Sequence, residues 1–197
     1  MKIVKIEYFA NAGDFANSTE FDIIKNELID AIKSVVWFEK ERFVIHPTKN
    51  HENGVNPIKQ NFVYHLESKG WLAEEKLSLI KGMNPGPIDA IKRTSKGLFA
   101  VEWETGNISS SHRALNKIAL GIIQDQLIGG ILVLPVRNLA QHLTDRIGNY
   151  EEIAPYFHLY RTLSIPNGLI GVISVDYDAL SLDAPFIPKG KDGNAEK

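Results

Sequence analysis

The chain has 197 residues, of which 44% are hydrophobic, 23% are charged and none is cysteine, and its formal net charge at pH 7 is −2. That length supports one sizeable core; the missing cysteines exclude a disulfide framework and cysteine-zinc modules, which suits a reducing cytosol; and the near balance of charge excludes a protein that holds nucleic acid by bulk basicity alone. No apolar run is long enough to span a bilayer, and the N-terminus alternates like a strand instead of forming a leader, so a soluble intracellular protein is expected.

In chain order, residues 1–6 alternate as a strand does, and Thr19–Ser34 carries Phe21, Ile24, Leu28, Ala31 and Ile32 at helical spacing behind the cap Asn17-Ser18. Residues 42–49 read as a short strand and turn. A helix follows over 56–67, with Pro57 where its missing N–H costs least. The segment holding Trp71, Leu72, Glu74, Glu75, Leu77, Leu79 and Ile80 is of ambiguous class. Residues 88–93 and 98–104 form apolar-alternating strands around the turn Thr94-Ser95-Lys96-Gly97. The clearest helix covers 109–124, with Leu115, Ile118, Ala119 and Ile122 as its apolar stripe. Residues 130–135 are a continuous apolar run, expected as a buried central strand. A helix over 137–147 and a strand over 169–175, after the turn Pro166-Asn167-Gly168, complete the pattern. Strands mixed with covering helices predict an α/β fold, a three-layer sandwich with a central mixed sheet flanked by helices. One domain over 1–188 is expected, with 189–197 as a polar tail.

The chemistry concentrates in the hairpin. If Arg93 faces Leu98, position numbers across the ladder sum to a constant and Asp89 falls opposite Glu102, with the Cβ atoms of such pairs about 4.5–5.5 Å apart. Glu104 shares that face two residues on, while Phe99, Val101 and Trp103 point into a core. Acids opposed across strands repel unless something cationic holds them. The residues alone fit either a solvated acidic face or an oxygen-ligand site for a hard cation such as Mg²⁺ or Mn²⁺. The net charge also conceals local structure, because a basic surface can form where Lys59, Lys92, Arg93, Lys96, Arg113, Lys117 and Arg146 gather.

Gly86-Pro87-Ile88-Asp89, then Glu102-Trp103-Glu104-Thr105-Gly106-Asn107-Ile108-Ser109-Ser110, His112-Arg113 and Asn116-Lys117, resembles the BamHI-type type II restriction endonucleases. The match extends upstream to Gly54-Val55-Asn56-Pro57-Ile58-Lys59 and downstream through Leu143-Thr144-Asp145-Arg146, Pro155-Tyr156-Phe157 and Ile187-Pro188-Lys189-Gly190. The short tail points to a smaller member of that family. The wider nuclease superfamily carries P-D…(D/E)-x-K, and this chain places Glu104 where lysine is usual, a departure that the BamHI branch shares.

The resemblance implies a restriction-endonuclease-like fold and a bacterial, cytoplasmic homodimer acting on double-stranded DNA without an organic cofactor or a membrane. It implies hydrolysis at the palindrome GGATCC, after the first G, with Mg²⁺ as cofactor and Mn²⁺ as substitute. Asp89, Glu102 and the Trp103 backbone carbonyl would bind metal. Glu74 would be the fourth acid, with Glu75 as its competitor, and Glu104 would be the general base or an outer carboxylate that orients water. Lys59, Asn107, Ser109, Arg113, Asp145, Arg146 and, in a minor-groove arm, Asp192 and Gly193 would contact DNA. Read alone, Asp145-Arg146 is a helix-end salt bridge and Lys59 a solvated lysine. A structure-directed repair or recombination nuclease of the same fold and a noncatalytic DNA-binding relative are the alternatives. His112 is expected to be structural.

Overall fold

The computed structural model describes residues 1–49, 52–76, 86–144 and 146–189. Six strands form one sheet in the order β1 (Lys2–Ala12), β7 (Gly168–Asp176), β6 (Leu127–Pro135), β5 (Gly97–Trp103), β4 (Ile88–Thr94), β3 (Leu72–Glu75). The middle strands β5, β6 and β7 run parallel, and antiparallel partners close both sides, β1 on β7 and β4 then β3 beyond β5. This is the mixed sheet that the apolar patterning implied. Every residue of β6 is buried, as a strand with neighbours on both edges and helices on both faces must be. A small parallel pair, β2 (Val44–Ile45) with β8 (Ala179–Leu180), lies outside the main sheet.

Alternation along the strands feeds two cores. Phe99, Val101, Trp103, Ile131 and Val133 point to the face covered by α1 (Thr19–Ser34) and α2 (Asn56–Ser68), where they meet Leu28, Ile32, Ile58 and Phe62. Ala100, Leu132 and Leu134 face α3 (Ile108–Ile123), whose Ala114, Leu115, Ile118 and Ile122 cover them. The predicted stripe of α1 is its buried face, and Ser18 caps it by accepting from the Phe21 N–H at 3.2 Å.

The helix expected over 137–147 stops early: α4 spans Arg137–Ala140. The chain then tightens into i→i−3 bonds, His142 N–H to Leu139 O at 3.0 Å and Leu143 N–H to Ala140 O at 3.1 Å. Beyond this tightened turn the His142 carbonyl accepts from the Asn53 side chain at 2.9 Å, a tertiary partner in the stretch where a longer helix was expected. Beyond it, α5 (Tyr150–Ile153), a 3₁₀ turn and α6 (Phe157–Arg161) were not foreshadowed by the spacing. They seal the α3 side with Ile153, Phe157 and Tyr160, and Phe157 stacks on Phe9 at 4.0 Å between ring centroids. Among the described residues no helix is long and apolar enough to cross a membrane.

Gly168 opens β7 with φ +123°, a conformation that L side chains rarely adopt, and a Cβ there would lie 2.0 Å from the Ile128 carbonyl oxygen. Gly168→Ala is therefore expected to cost at least about 1–3 kcal/mol through backbone strain and displacement of β6. A denaturant titration that gives an unchanged midpoint would contradict this close approach.

Candidate active site

The hairpin register is the one that the turn implied. Arg93 pairs with Leu98 and Ala90 with Val101, where the paired ladder ends, and Asp89 and Glu102 are the next residues on the two strands. Both acids are buried, Asp89 at 5% and Glu102 at 2% exposure, so the solvated acidic face is excluded. Their tolerance rests on donors. Asp89 Oδ2 accepts from the Trp103 N–H at 2.8 Å, and Lys59 Nζ on α2 lies 2.5 Å from Asp89 Oδ1. Lys117 on α3 pairs with Glu102 and donates to the Pro87 carbonyl at 2.9 Å, which fastens the hairpin's entry to the helix. Positive charge thus reaches the acids from both helical layers.

Lys59, Glu74, Asp89, Glu102, Glu104, Ser109 and Arg113 line one cavity of about 850 Å³, with His112, Asn116 and Lys117 beside them. Glu74 faces it from β3 with φ +54°, whereas Glu75 sits in the ladder opposite Ile88. Burial, then the charge of Asp89, pushes the Glu102 carboxyl up to about 7 against the opposing pull of Lys117. The same two causes raise Glu104, against Lys59, Lys117 and Arg113. Burial works against the charge of Lys59, yet Asp89, Glu74 and Glu102 outweigh it and hold the ammonium form above its ordinary range.

Lys117 is the member of this constellation that the expected site residues omit. It was legible in spacing, because Ser109, Arg113 and Lys117 recur every four residues and so share one face of α3. Asn107 caps α3, its side-chain oxygen accepting from the Ser110 N–H at 3.2 Å, and it does not line the cavity. Arg146 is exposed, with φ +63°. Its loop is tied to the turn before α3 by the Gly148 N–H, which donates to the Gly106 carbonyl at 2.8 Å. Asp145, Asp192 and Gly193 lie outside the described residues. His112 packs edge-on against Tyr156 at 4.6 Å, a packing contact. The basic residues do not gather as one surface. Lys92 pairs with Glu27 at 3.0 Å, and with Arg93 it lines a different hollow beside α1, away from Lys59, Arg113 and Lys117.

The profile of the family described as restriction endonuclease BamHI matches residues 1–194. The chain is 43% identical to the type II restriction enzyme OkrAI of Oceanobacter kriegii over 196 residues, 99% of each chain. It is 37% identical to the type II restriction enzyme BamHI of Bacillus amyloliquefaciens over 180 residues, 87% of this chain and 82% of that one. The fold is similar to the restriction endonuclease BglII complexed with a DNA 16-mer, with a TM-score of 0.60 at 12% identity over 90% of this chain and 79% of that one. Fold, site and sequence define a restriction endonuclease. The chain belongs to the BamHI family of type II restriction endonucleases, site-specific deoxyribonucleases that generally use divalent metal ions.

The donor set fits such an ion. Carboxylate oxygens are what a hard divalent cation takes, and Asp89, Glu102, Glu104 and Glu74 present them to one cavity. Among the described residues no three His, Cys, Asp or Glu side chains are gathered closely enough to form a protein cage for a metal. Mg²⁺ is usually held by one or two carboxylates together with substrate phosphate and water, so such a cage is not required.

Breaking one partner of a buried pair leaves an uncompensated charge, at a typical cost of about 3–5 kcal/mol. Lys117→Met should destabilise the chain within that range, and adding Glu102→Gln should recover part of the loss. Purely additive losses across this double-mutant cycle would show that Lys117 and Glu102 do not act as a pair.

Proposed function

We propose that this enzyme cleaves double-stranded DNA at the palindrome GGATCC, after the first G, in a Mg²⁺-dependent phosphodiester hydrolysis that Mn²⁺ also supports. The observation that carries the reading is the convergence of Asp89, Glu102 and Glu104 with Lys59 and Arg113 in one cavity, a combination suited to a phosphodiester between a metal and a base-reading helix. Family membership and the likeness to OkrAI and BamHI support the site preference. Asp89, Glu102, Glu74 and the Trp103 carbonyl are the groups we assign to the metal, with Glu74 preferred over Glu75 because it faces the cavity. When bound, the metal stabilises charge developing on the phosphoryl oxygens and lowers the pKa of bound water.

Glu104 takes the proton of the attacking water. Burial and the charge of Asp89 raise its carboxyl above the ordinary range, which makes it a better acceptor. Lys59 meets the DNA at the cavity mouth, its side chain 40% exposed. Ser109 and Arg113 at the first turns of α3 read bases, and an arginine there can grip guanine O6 and N7 together. Asn107, Asp145 and Arg146 complete the reading head, and Asp192 and Gly193 in the tail 189–197 reach the minor groove. A two-fold palindrome is matched by a homodimer in which each subunit reads a half-site. The enzyme acts in the bacterial cytoplasm, and residues 1–188 form its single domain.

A plasmid digest in Mg²⁺ tests the activity, with fragments bounded by GGATCC as the expected result. Cutting confined to branched DNA, or binding without cutting, would replace this reading with a structure-directed nuclease or a noncatalytic relative. Asp89→Asn should abolish cleavage while cognate binding persists, since it removes a metal ligand and no base contact; undiminished cutting would overturn the assignment. Arg113→Ala should cost about 1–3 kcal/mol on the cognate duplex and relax discrimination at one base pair. Equal losses on cognate and scrambled duplexes would assign Arg113 to phosphate instead.

A further inference from the structure

The geometry points to Asn53, a residue outside the cavity, as the positioning residue that sets the DNA-contacting segments against one another. Its side chain is fully buried at 0% exposure. Every hydrogen-bonding direction of the amide that has a partner leads to a different stretch of chain. Nδ2 donates to the His46 carbonyl at 3.0 Å and to the His142 carbonyl at 2.9 Å, and Oδ1 accepts from the Ile187 N–H at 3.2 Å. A planar amide with two N–H donors and one carbonyl acceptor is the side chain that can satisfy two carbonyls and one N–H at once.

The joint is reinforced on both sides. The Gly54 N–H donates to the Ile187 carbonyl at 2.7 Å, and a Cβ on Gly54 would fall 1.8 Å from the Pro188 carbonyl oxygen, so the residue-187 segment lies directly on this backbone. His142 Nδ1 lies 2.8 Å from the Thr48 carbonyl, and because a carbonyl only accepts, the ring carries its proton on Nδ1. His142 is buried at 3% exposure and its ring meets Tyr177 edge-on at 5.6 Å.

His46 directly follows β2 (Val44–Ile45), and the other two partners share one feature with Asn53 itself. Asn53 precedes α2, which carries Lys59; His142 precedes Asp145 and Arg146; and Ile187 precedes the tail from Lys189. Resting on the reading above, in which these segments touch DNA, Asn53 fixes the register among phosphate contact, base contact and the segment at Ile187. It touches no reacting atom and acts through the segments that it joins. Loss of its two donors leaves two buried carbonyls unsatisfied and lets the Arg146 loop shift relative to α2. A misplaced reading head weakens the cognate complex more than a mismatched one, which makes few of those contacts.

The test is the ratio of kcat/KM on a duplex carrying GGATCC to kcat/KM on a duplex with one altered base pair. It is measured at a temperature where circular dichroism shows each variant fully folded. Asn53→Asp keeps the shape and removes both donors, and it should lower the ratio by about tenfold or more, the size of one base contact, while kcat on the cognate duplex changes less than the ratio does. Gly54→Ala perturbs the same joint by displacing Pro188 and should lower the ratio as well, which keeps the proposal testable if N53D does not fold. A merely structural role moves the melting temperature and leaves the ratio of the folded enzyme unchanged; that result in either folded variant overturns the proposal. Failure of the wild-type enzyme to discriminate between the two duplexes overturns the reading on which it rests, a distinguishable outcome.

Discussion

Buried carboxylates on adjacent strands of a hairpin are held by cations brought to them from elsewhere, and the architecture follows from that need. Asp89 and Glu102 stand on adjacent strands with little access to water, where repulsion is poorly screened. Lys59 comes from α2 on one face of the sheet and Lys117 from α3 on the other, so charge compensation requires both layers to be docked. The Trp103 N–H adds a neutral donor from the strand itself. The same contacts that make the cluster tolerable therefore fix the helices that bring Lys59, Ser109 and Arg113 to the cavity.

The second link is the rigidity of α3. Its apolar stripe lies on β6, a strand buried along its whole length, so the helix has little freedom to roll. Ser109, Arg113 and Lys117 occupy one face at intervals of about one turn, and Lys117 holds both Glu102 and the Pro87 carbonyl. A displacement of the helix on binding DNA is thus felt at Glu102 and at the loop leading into Asp89. The Gly148 to Gly106 bond brings the Arg146 loop into the same mechanical unit.

What was legible in the sequence is what depends on local spacing. The α1 and α3 stripes, the hairpin with its register, and the apolar β6 run follow from periodicity and turn chemistry, and the structure has them at nearly the expected bounds. The early end of α4 was not legible, because the stretch after Ala140 turns into i→i−3 bonds and its His142 carbonyl is held by Asn53, 89 residues away in sequence. The α5 and α6 segment escaped for a related reason: it is short, and it is helical because Ile153, Phe157 and Tyr160 find a prepared apolar face. At the site, the acids were visible as a motif, but the pairing of Lys59 with Asp89 and Lys117 with Glu102 is purely tertiary. A lysine on a helix reads as solvated until something acidic is placed opposite it.

Glu104 gains its meaning from the same arrangement. The wider superfamily signature would place an ammonium group there, directly beside Asp89 and Glu102. Here the strand carries another acid and the cavity's lysines arrive on helices, which separates charge compensation from the position of Glu104 at the strand's end. Lys117, paired with Glu102 and bonded to the Pro87 carbonyl, sits buried at 6% exposure, a poor candidate for proton transfer. A carboxyl raised by burial and by a neighbouring acid moves toward neutrality, whereas a lysine among acids is driven further from it. With Lys59 and Lys117 already paired to Asp89 and Glu102, a third acid at the strand's end is a side chain whose carboxyl burial and the charge of Asp89 raise above the ordinary range.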